Sequence, residues 1–166
     1  MNNAHISPIQ EKDYADLVFM VGELLNEIMD KTNLQAFNFD PKETLIRAKE
    51  LISKDKYWVF LAEDKDSNTK IGFISLYEGY ALYSEGAFGT IPELFVSPSY
   101  RSQKIGQSLL KEAIKFGINK EWSRIEVTTP PLPQFDKTLE FYKANGFEIS
   151  GGKKLKIDLS HTTHKD

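Results

Sequence analysis

From Tyr14 onward, apolar residues recur at helical spacing: Tyr14, Leu17, Val18, Val21, Leu24, Leu25 and Ile28 make one broad stripe. Asp13 stands where an N-cap belongs. A second helix is announced by DPKE, with Asp40 as N-cap, Pro41 at the first helical position and Glu43 closing a capping box. Leu45, Ala48 and Ile52 then supply its buried face. The period next changes to two. YWVFLAED (57–64) and KIGFISLYEG (70–79) read as strands of a hairpin joined by KDSNT, and Ala4 to Ile9 reads as an earlier short strand. GYALYSEGAFG (79–89) reads as a loop, and TIPELFVS (90–97) as one strand stopped by Pro98.

Ile105, Leu109, Ala113 and Phe116 mark a third helix running to about Asn119. SRIEVTT is another strand, and a short helix from Phe135 to Asn145 closes on Gly146, the residue suited to a left-handed C-terminal position. FEISGG and KKLKIDL read as two terminal strands. The expected order is β-α-α-β-β-β-α-β-α-β-β, an α/β (α+β) arrangement with a mixed central sheet flanked by helices on both faces. The crossover from Val96 through the third helix to Ile125 is expected to be parallel and right-handed.

The length of 166 residues fits one domain spanning 1–166, with 160–166 expected to be a flexible tail. A net charge of −3 gives no basic surface for nucleic acid. The absence of cysteine removes disulfides, thiolate metal sites and a cysteine nucleophile. His161 and His164 sit in the polar tail and His5 opens a strand, so no metal site is expected. The N-terminus lacks the charged and apolar regions of a signal peptide, and no apolar run approaches membrane-spanning length. The expectation is a cytoplasmic protein with no membrane partner.

SPSYRSQKIGQSLL (97–110) places a turn, two cations and a glycine directly before an apolar helix. A helix start at the end of a parallel strand favours an anion, because its N–H groups and dipole are unsatisfied there. Arg101 and Lys104 add charge, and Gly106 removes a side chain where a ligand or strand would approach. A solvated basic helix start fits the same residues. The full Gly-x-x-x-x-Gly-Lys-Ser/Thr loop and the Gly-x-Gly-x-x-Gly fingerprint are both absent.

ELFVSPSYRSQKIGQSLL, followed some thirty residues on by FYKANGFE, resembles the GNAT N-acetyltransferase superfamily, and the likeness extends over essentially the whole chain. The family signature Gln/Arg-x-x-Gly-x-Gly/Ala reads here Arg101, Ser102, Gln103, Lys104, Ile105, Gly106, with Lys104 replacing the first glycine. A lysine following helical backbone is expected to be tolerated there. The resemblance implies a splayed sheet, acetyl-CoA as co-substrate, and N–H groups from Gln103 to Gln107 holding its pyrophosphate. It also implies that Leu94, Phe95 and Val96 bind the pantetheine arm like an added strand.

In the same way it implies a catalytic pair. Tyr142 in FYKANGF matches the family's general-acid tyrosine, and its ordinary pKa of about 10 keeps it protonated at neutral pH. Glu93 stands where the family often places a base, with Glu126 the fallback; strand alternation puts Glu93 and Phe95 on one face. Core aromatic and salt-bridged carboxylate are the competing structural roles. For the acceptor, Phe37, Tyr80, Tyr83 and Glu85 offer aromatic and acidic contacts to a cationic small-molecule amine. A protein N-terminus or lysine as acceptor and a non-catalytic acyl-CoA-binding module are the alternatives. The lysines of SGGKKLKIDL either cover the edge of a homodimer, flank the entrance or lie on a solvated strand face.

Overall fold

The computed structural model describes residues 3–84 and 86–160; Glu85 and the tail histidines lie outside the described residues. Six strands and four helices follow in the order β1 (Ala4–Pro8), α1 (Tyr14–Thr32), α2 (Pro41–Ser53), β2 (Trp58–Asp64), β3 (Lys70–Ala81), β4 (Gly86–Ile91), β5 (Leu94–Val96), α3 (Ile105–Asn119), β6 (Ile125–Val127) and α4 (Asp136–Ala144). The sheet runs β1-β2-β3-β4-β6, antiparallel except for the parallel β4–β6 pair, and β5 joins it by pairing with β3.

The apolar periods explain the layers. Val59 to Ala62 of β2 and Ile71 to Leu76 of β3 are continuously buried, as strands covered on both faces must be. On one face, Leu17 and Met20 of α1 pack with Val59, Leu61, Phe73 and Phe95, and Ala48 and Ile52 of α2 join them. On the other, Ile105, Leu109, Leu110 and Ala113 of α3 pack with Phe60, Ala62, Ile71, Ile74 and Leu76, together with Tyr142 from α4. Gly72 is required between β3 and β5, because a Cβ there would come within 2.7 Å of the Phe95 carbonyl oxygen.

TIPELFVS is two strands rather than the single strand its pattern predicts. Ile74 pairs with Leu94 and Tyr77 with Thr90, so two residues of β3 oppose three, Ile91, Pro92 and Glu93. That is a β-bulge, placed where Pro92 has no N–H to pair. The extra residue reverses the facing of side chains: Ile91 packs on the α3 side, whereas Phe95 packs on the α1 side. It also separates two pairings. β4 stays against β6, while β5 turns away from it and keeps only β3 as a partner. The expected splay thus begins at Pro92–Glu93.

Two other readings need correction. GYALYSEGAFG is not a loop but the tip of a long β3–β4 hairpin, pairing from Tyr77–Thr90 to Ala81–Gly86. Its two faces carry exposed Tyr77 and Tyr80 beside small residues, so alternation gives no signal. The two terminal strands are not formed either. After β6 the described residues contain no further strand, and 147–160 are almost wholly exposed. A strand needs a partner edge, and among the described residues this segment pairs with none. Gly146 does take the left-handed conformation, at φ 93°. No helix of the described residues is long and apolar enough to cross a membrane.

Candidate active site

The splay opens a cleft of about 690 Å³ between β5 and β6, floored by α3 and α4 and walled by the last turns of α1. Leu94, Phe95, Val96, Arg101, Ser102, Lys104, Ile105, Gly106 and Gln107 all line it, as do Glu93 and Tyr142. Gln103 does not; its amide reaches the Ser99 carbonyl at 3.5 Å. On the far wall are Val127, Thr128 and Pro130.

The start of α3 is exposed to this space. Helix geometry leaves the N–H groups of Ile105, Gly106 and Gln107 without intrahelical carbonyls, and no side chain caps them. Lys104 precedes the helix at φ 64° and ψ 17°, with Ser102 at φ 63°. The expectation that Lys104 follows helical backbone is therefore corrected: the chain turns through the left-handed region there, where a side chain costs free energy and a glycine does not. A Cβ on Gly106 would meet Phe141 and Val96 at 3.6–3.8 Å, ordinary contact, so the protein's own packing does not demand that glycine.

Arg101 is committed within the chain. Its two terminal nitrogens donate to both Glu27 oxygens at 2.6 Å, its Nε donates to the Val96 carbonyl at 2.8 Å, and its guanidinium lies 5.7 Å from the Phe95 ring centroid. The Arg101 hydrogen bonds hold Glu27 below the usual carboxylate range, with Lys31 adding to the effect at 3.3 Å. This clamp ties α1 to the turn before α3. A second tie joins α3 to α4, where Gln107 Nε2 donates to Asn145 Oδ1 at 3.2 Å and Asn145 Nδ2 donates to the Phe141 carbonyl at 2.8 Å.

Glu93 sits in the bulge on the Phe73–Ser75 side of the sheet. Its carboxylate accepts hydrogen bonds from the Tyr57 and Ser75 hydroxyls, and its N–H donates to Ser75 Oγ at 3.1 Å. Enclosure of the carboxyl raises its pKa, and the two hydroxyl donors partly offset that by stabilising the charged form. Tyr57 in turn is pushed far above the ordinary phenol range, by burial first and the Glu93 charge second. Glu126 is elsewhere: it is exposed, pairs with Arg124 at 3.2 Å and does not line the cleft.

Tyr142 is 4% exposed and makes edge-to-face contacts with Phe141 and Phe147, each with its ring centroid 5.3 Å away. Burial alone raises its pKa, and none of the described residues shares a hydrogen bond with its hydroxyl. No buried polar side-chain atom among the described residues lacks a partner, so this hydroxyl reaches the open cleft rather than the core. It is placed to donate to a group that enters.

Phe37, Tyr80 and Tyr83 do not line the cleft. Phe37 is 40% exposed in the α1–α2 connection; Tyr80 donates to Glu78 at 2.6 Å on the hairpin, and Tyr83 lies 5.6 Å from Arg124 at the hairpin tip. The residues that sequence reasoning missed are Tyr57, Ser75 and Glu27, which hold Glu93 and Arg101. Ser75 carried one signal, as the lone polar side chain in the apolar run 71–76.

A model of the acetyltransferase (GNAT) domain family matches residues 54–149, the span that contains this cleft apart from its α1 wall. No curated protein matches the chain. Among solved structures, a predicted acetyltransferase with acetyl-CoA from Clostridium acetobutylicum is 16% identical, covering 97% of this chain and 99% of that chain at a TM-score of 0.76. The aminoglycoside N-acetyltransferase AAC(6')-Iy in complex with CoA is 16% identical, covering 94% of this chain and 95% of that chain, with a TM-score of 0.77. A transcriptional regulator from Bacillus halodurans C-125 is 22% identical, covering 94% of this chain and 99% of that chain, with a TM-score of 0.75. At these identities the likeness establishes a shared fold.

Proposed function

The chain belongs to the acetyltransferase (GNAT) family, and from that premise we propose that it transfers the acetyl group of acetyl-CoA to a primary amine of a small molecule by direct attack, with Glu93 as base and Tyr142 as acid. The observation that carries this reading is the shared cleft: Glu93 and the cleft-facing Tyr142 hydroxyl line the same space as the uncapped start of α3. The backbone N–H groups of α3 and the charge of Lys104 hold the co-substrate's diphosphate. The β5 edge left unpaired by the bulge accepts the amides of its arm.

The chemistry balances with these two residues. The amine nitrogen attacks the thioester carbonyl carbon and the C–S bond breaks. Glu93 takes a proton from nitrogen, directly or through one water, and Tyr142 gives one to the leaving sulfur. Burial acts on both residues, raising the Glu93 pKa above the ordinary carboxylate value and keeping Tyr142 protonated throughout the working range. Tyr57 and Ser75 fix the Glu93 carboxylate in place. AAC(6')-Iy, with the same fold, also occurs in complex with the bisubstrate analogue CoA-S-monomethyl-acetylneamine, which supports a small amine as acceptor.

Release of coenzyme A thiol with a panel of small primary amines tests the reading. Tyr142→Phe is expected to lower kcat by about 10²-fold with acetyl-CoA KM little changed. An unchanged kcat in the folded variant removes Tyr142 from the mechanism. Glu93→Gln is expected to abolish the rising limb of the pH–rate profile. Because burial raises the Glu93 pKa, that limb lies above the ordinary glutamate range. Stabilisation by acetyl-CoA, about 2.7 kcal/mol at 100-fold its Kd, without turnover of any amine identifies the non-catalytic module instead.

A further inference from the structure

We infer that the acceptor is a singly charged amine on an apolar body, its reacting nitrogen being its sole cation, and that Lys31 of α1 is the side chain that turns multiply charged amines away. This rests on the acetyl-transfer reading above and names the acceptor class within it. The charges around the cleft lead there. Among the described residues its lining carries Lys31, Arg101, Lys104 and Lys137 against the carboxylates Glu27 and Glu93. Each carboxylate is already answered. Both Glu27 oxygens accept from Arg101 at 2.6 Å, and Lys31 stands 3.3 Å from one of them. Glu93 accepts from the Tyr57 and Ser75 hydroxyls, and the proposed chemistry gives it the proton of the reacting nitrogen.

The α1 wall shows how the sequence builds this. Leu24, Glu27, Ile28 and Lys31 stand at i, i+3, i+4 and i+7, one face of a helix, and all four line the cleft. Glu27 is occupied by the clamp to Arg101, which leaves this face apolar up to the Lys31 cation. The Lys31 ammonium lies 5.0 Å from the Phe135 ring centroid, so it reaches from α1 to the segment before α4. Phe135, Pro130, Val127 and Leu94 continue the apolar lining. An aromatic and acidic pair that would suit a polycation, Tyr80 with Glu78, sits on the β3–β4 hairpin and not in the cleft.

A primary amine loses a proton before it attacks, so a monoamine enters the reaction neutral along its whole length. A second aliphatic amine, with a pKa near ~10.4, stays charged at neutral pH. It would be desolvated among apolar side chains without a carboxylate partner, and beside the like charge of Lys31. An apolar body is stabilised by the same burial.

Two matched pairs of amines test this, each pair differing by a methyl group exchanged for a charged amino group. They are hexylamine with pentane-1,5-diamine, and 2-(4-ethylphenyl)ethylamine with 2-[4-(aminomethyl)phenyl]ethylamine. With acetyl-CoA and the full chain, release of coenzyme A thiol is expected to give at least one monoamine a kcat/KM roughly 10²-fold above that of its charged partner. If neither monoamine exceeds its partner, the acceptor class is overturned. Lys31→Met keeps the side-chain length and leaves the Arg101–Glu27 pair in place. It is expected to raise kcat/KM for the charged partner about tenfold while changing the monoamine value less than about threefold. A change that falls equally on both members of a pair, as a structural role would produce, overturns the assignment of Lys31. Absence of thiol release with every amine has a different meaning, because it removes the acetyl-transfer reading itself.

Discussion

The helix α2 begins on Asp40, whose Oδ1 accepts the Glu43 N–H at 3.0 Å, with Pro41 removing one orphan donor and the Thr44 hydroxyl donating back to the Asp40 carbonyl at 2.7 Å. The helix α3 begins on Lys104, a residue with no side-chain acceptor, in a left-handed conformation and beside a cleft. Both helices are amphipathic and of similar length, 13 and 15 residues. They differ in what answers their first N–H groups. For α2 the chain itself supplies the acceptor, and the result is stability. For α3 it supplies a cation, Lys104, and space, which leaves the donors to an incoming anion.

The largest expected effect that sharpens this contrast is Lys104→Glu, which exchanges a cation for an anion at the α3 start. A hydrogen bond to a charged group contributes about 1.5–3 kcal/mol, and reversal also adds repulsion. Acetyl-CoA affinity measured by calorimetric titration is therefore expected to fall by roughly 10²-fold in a folded protein. Unchanged affinity would mean that the α3 start does not hold the diphosphate. Asp40→Ala is the matching change at α2, expected to cost about 1 kcal/mol in urea unfolding and to leave acetyl-CoA affinity as it was. A weakened affinity there would break the division between the two starts.

The sequence reading did best where a feature is contiguous. α1, α3 and the β2–β3 hairpin follow from period, α4 from its Gly146 stop, and the cleft residues from 93 to 107 lie within one run. The partners that set their chemistry are distant: Tyr57 lies 36 residues from Glu93 and Glu27 lies 74 from Arg101, and neither distance leaves a mark on local pattern. The bulge escaped because TIPELFVS is apolar on both sides of it, with Pro92 the only sign. The terminal strands illustrate the reverse limit. Their alternation is present in the sequence, but a strand exists only against an edge, and periodicity says nothing about whether one is paired with it.

The smallest expected effect concerns Lys104 itself, where the family signature has glycine. At φ 64° a lysine bears a left-handed penalty of about 1–2 kcal/mol, while glycine there gives back part of that gain through the greater freedom of its unfolded chain. Lys104→Gly is accordingly expected to stabilise the protein by roughly 0.5–1 kcal/mol. Removing the cation should also weaken acetyl-CoA binding, but less than Lys104→Glu, because the N–H groups and the helix dipole remain. Stability and affinity then move in opposite directions at one residue. At Asp40→Ala only stability moves. If Lys104→Gly instead lowered stability, contacts of the lysine side chain would outweigh its backbone strain, and the α3 start would resemble α2 in being held by its own residue.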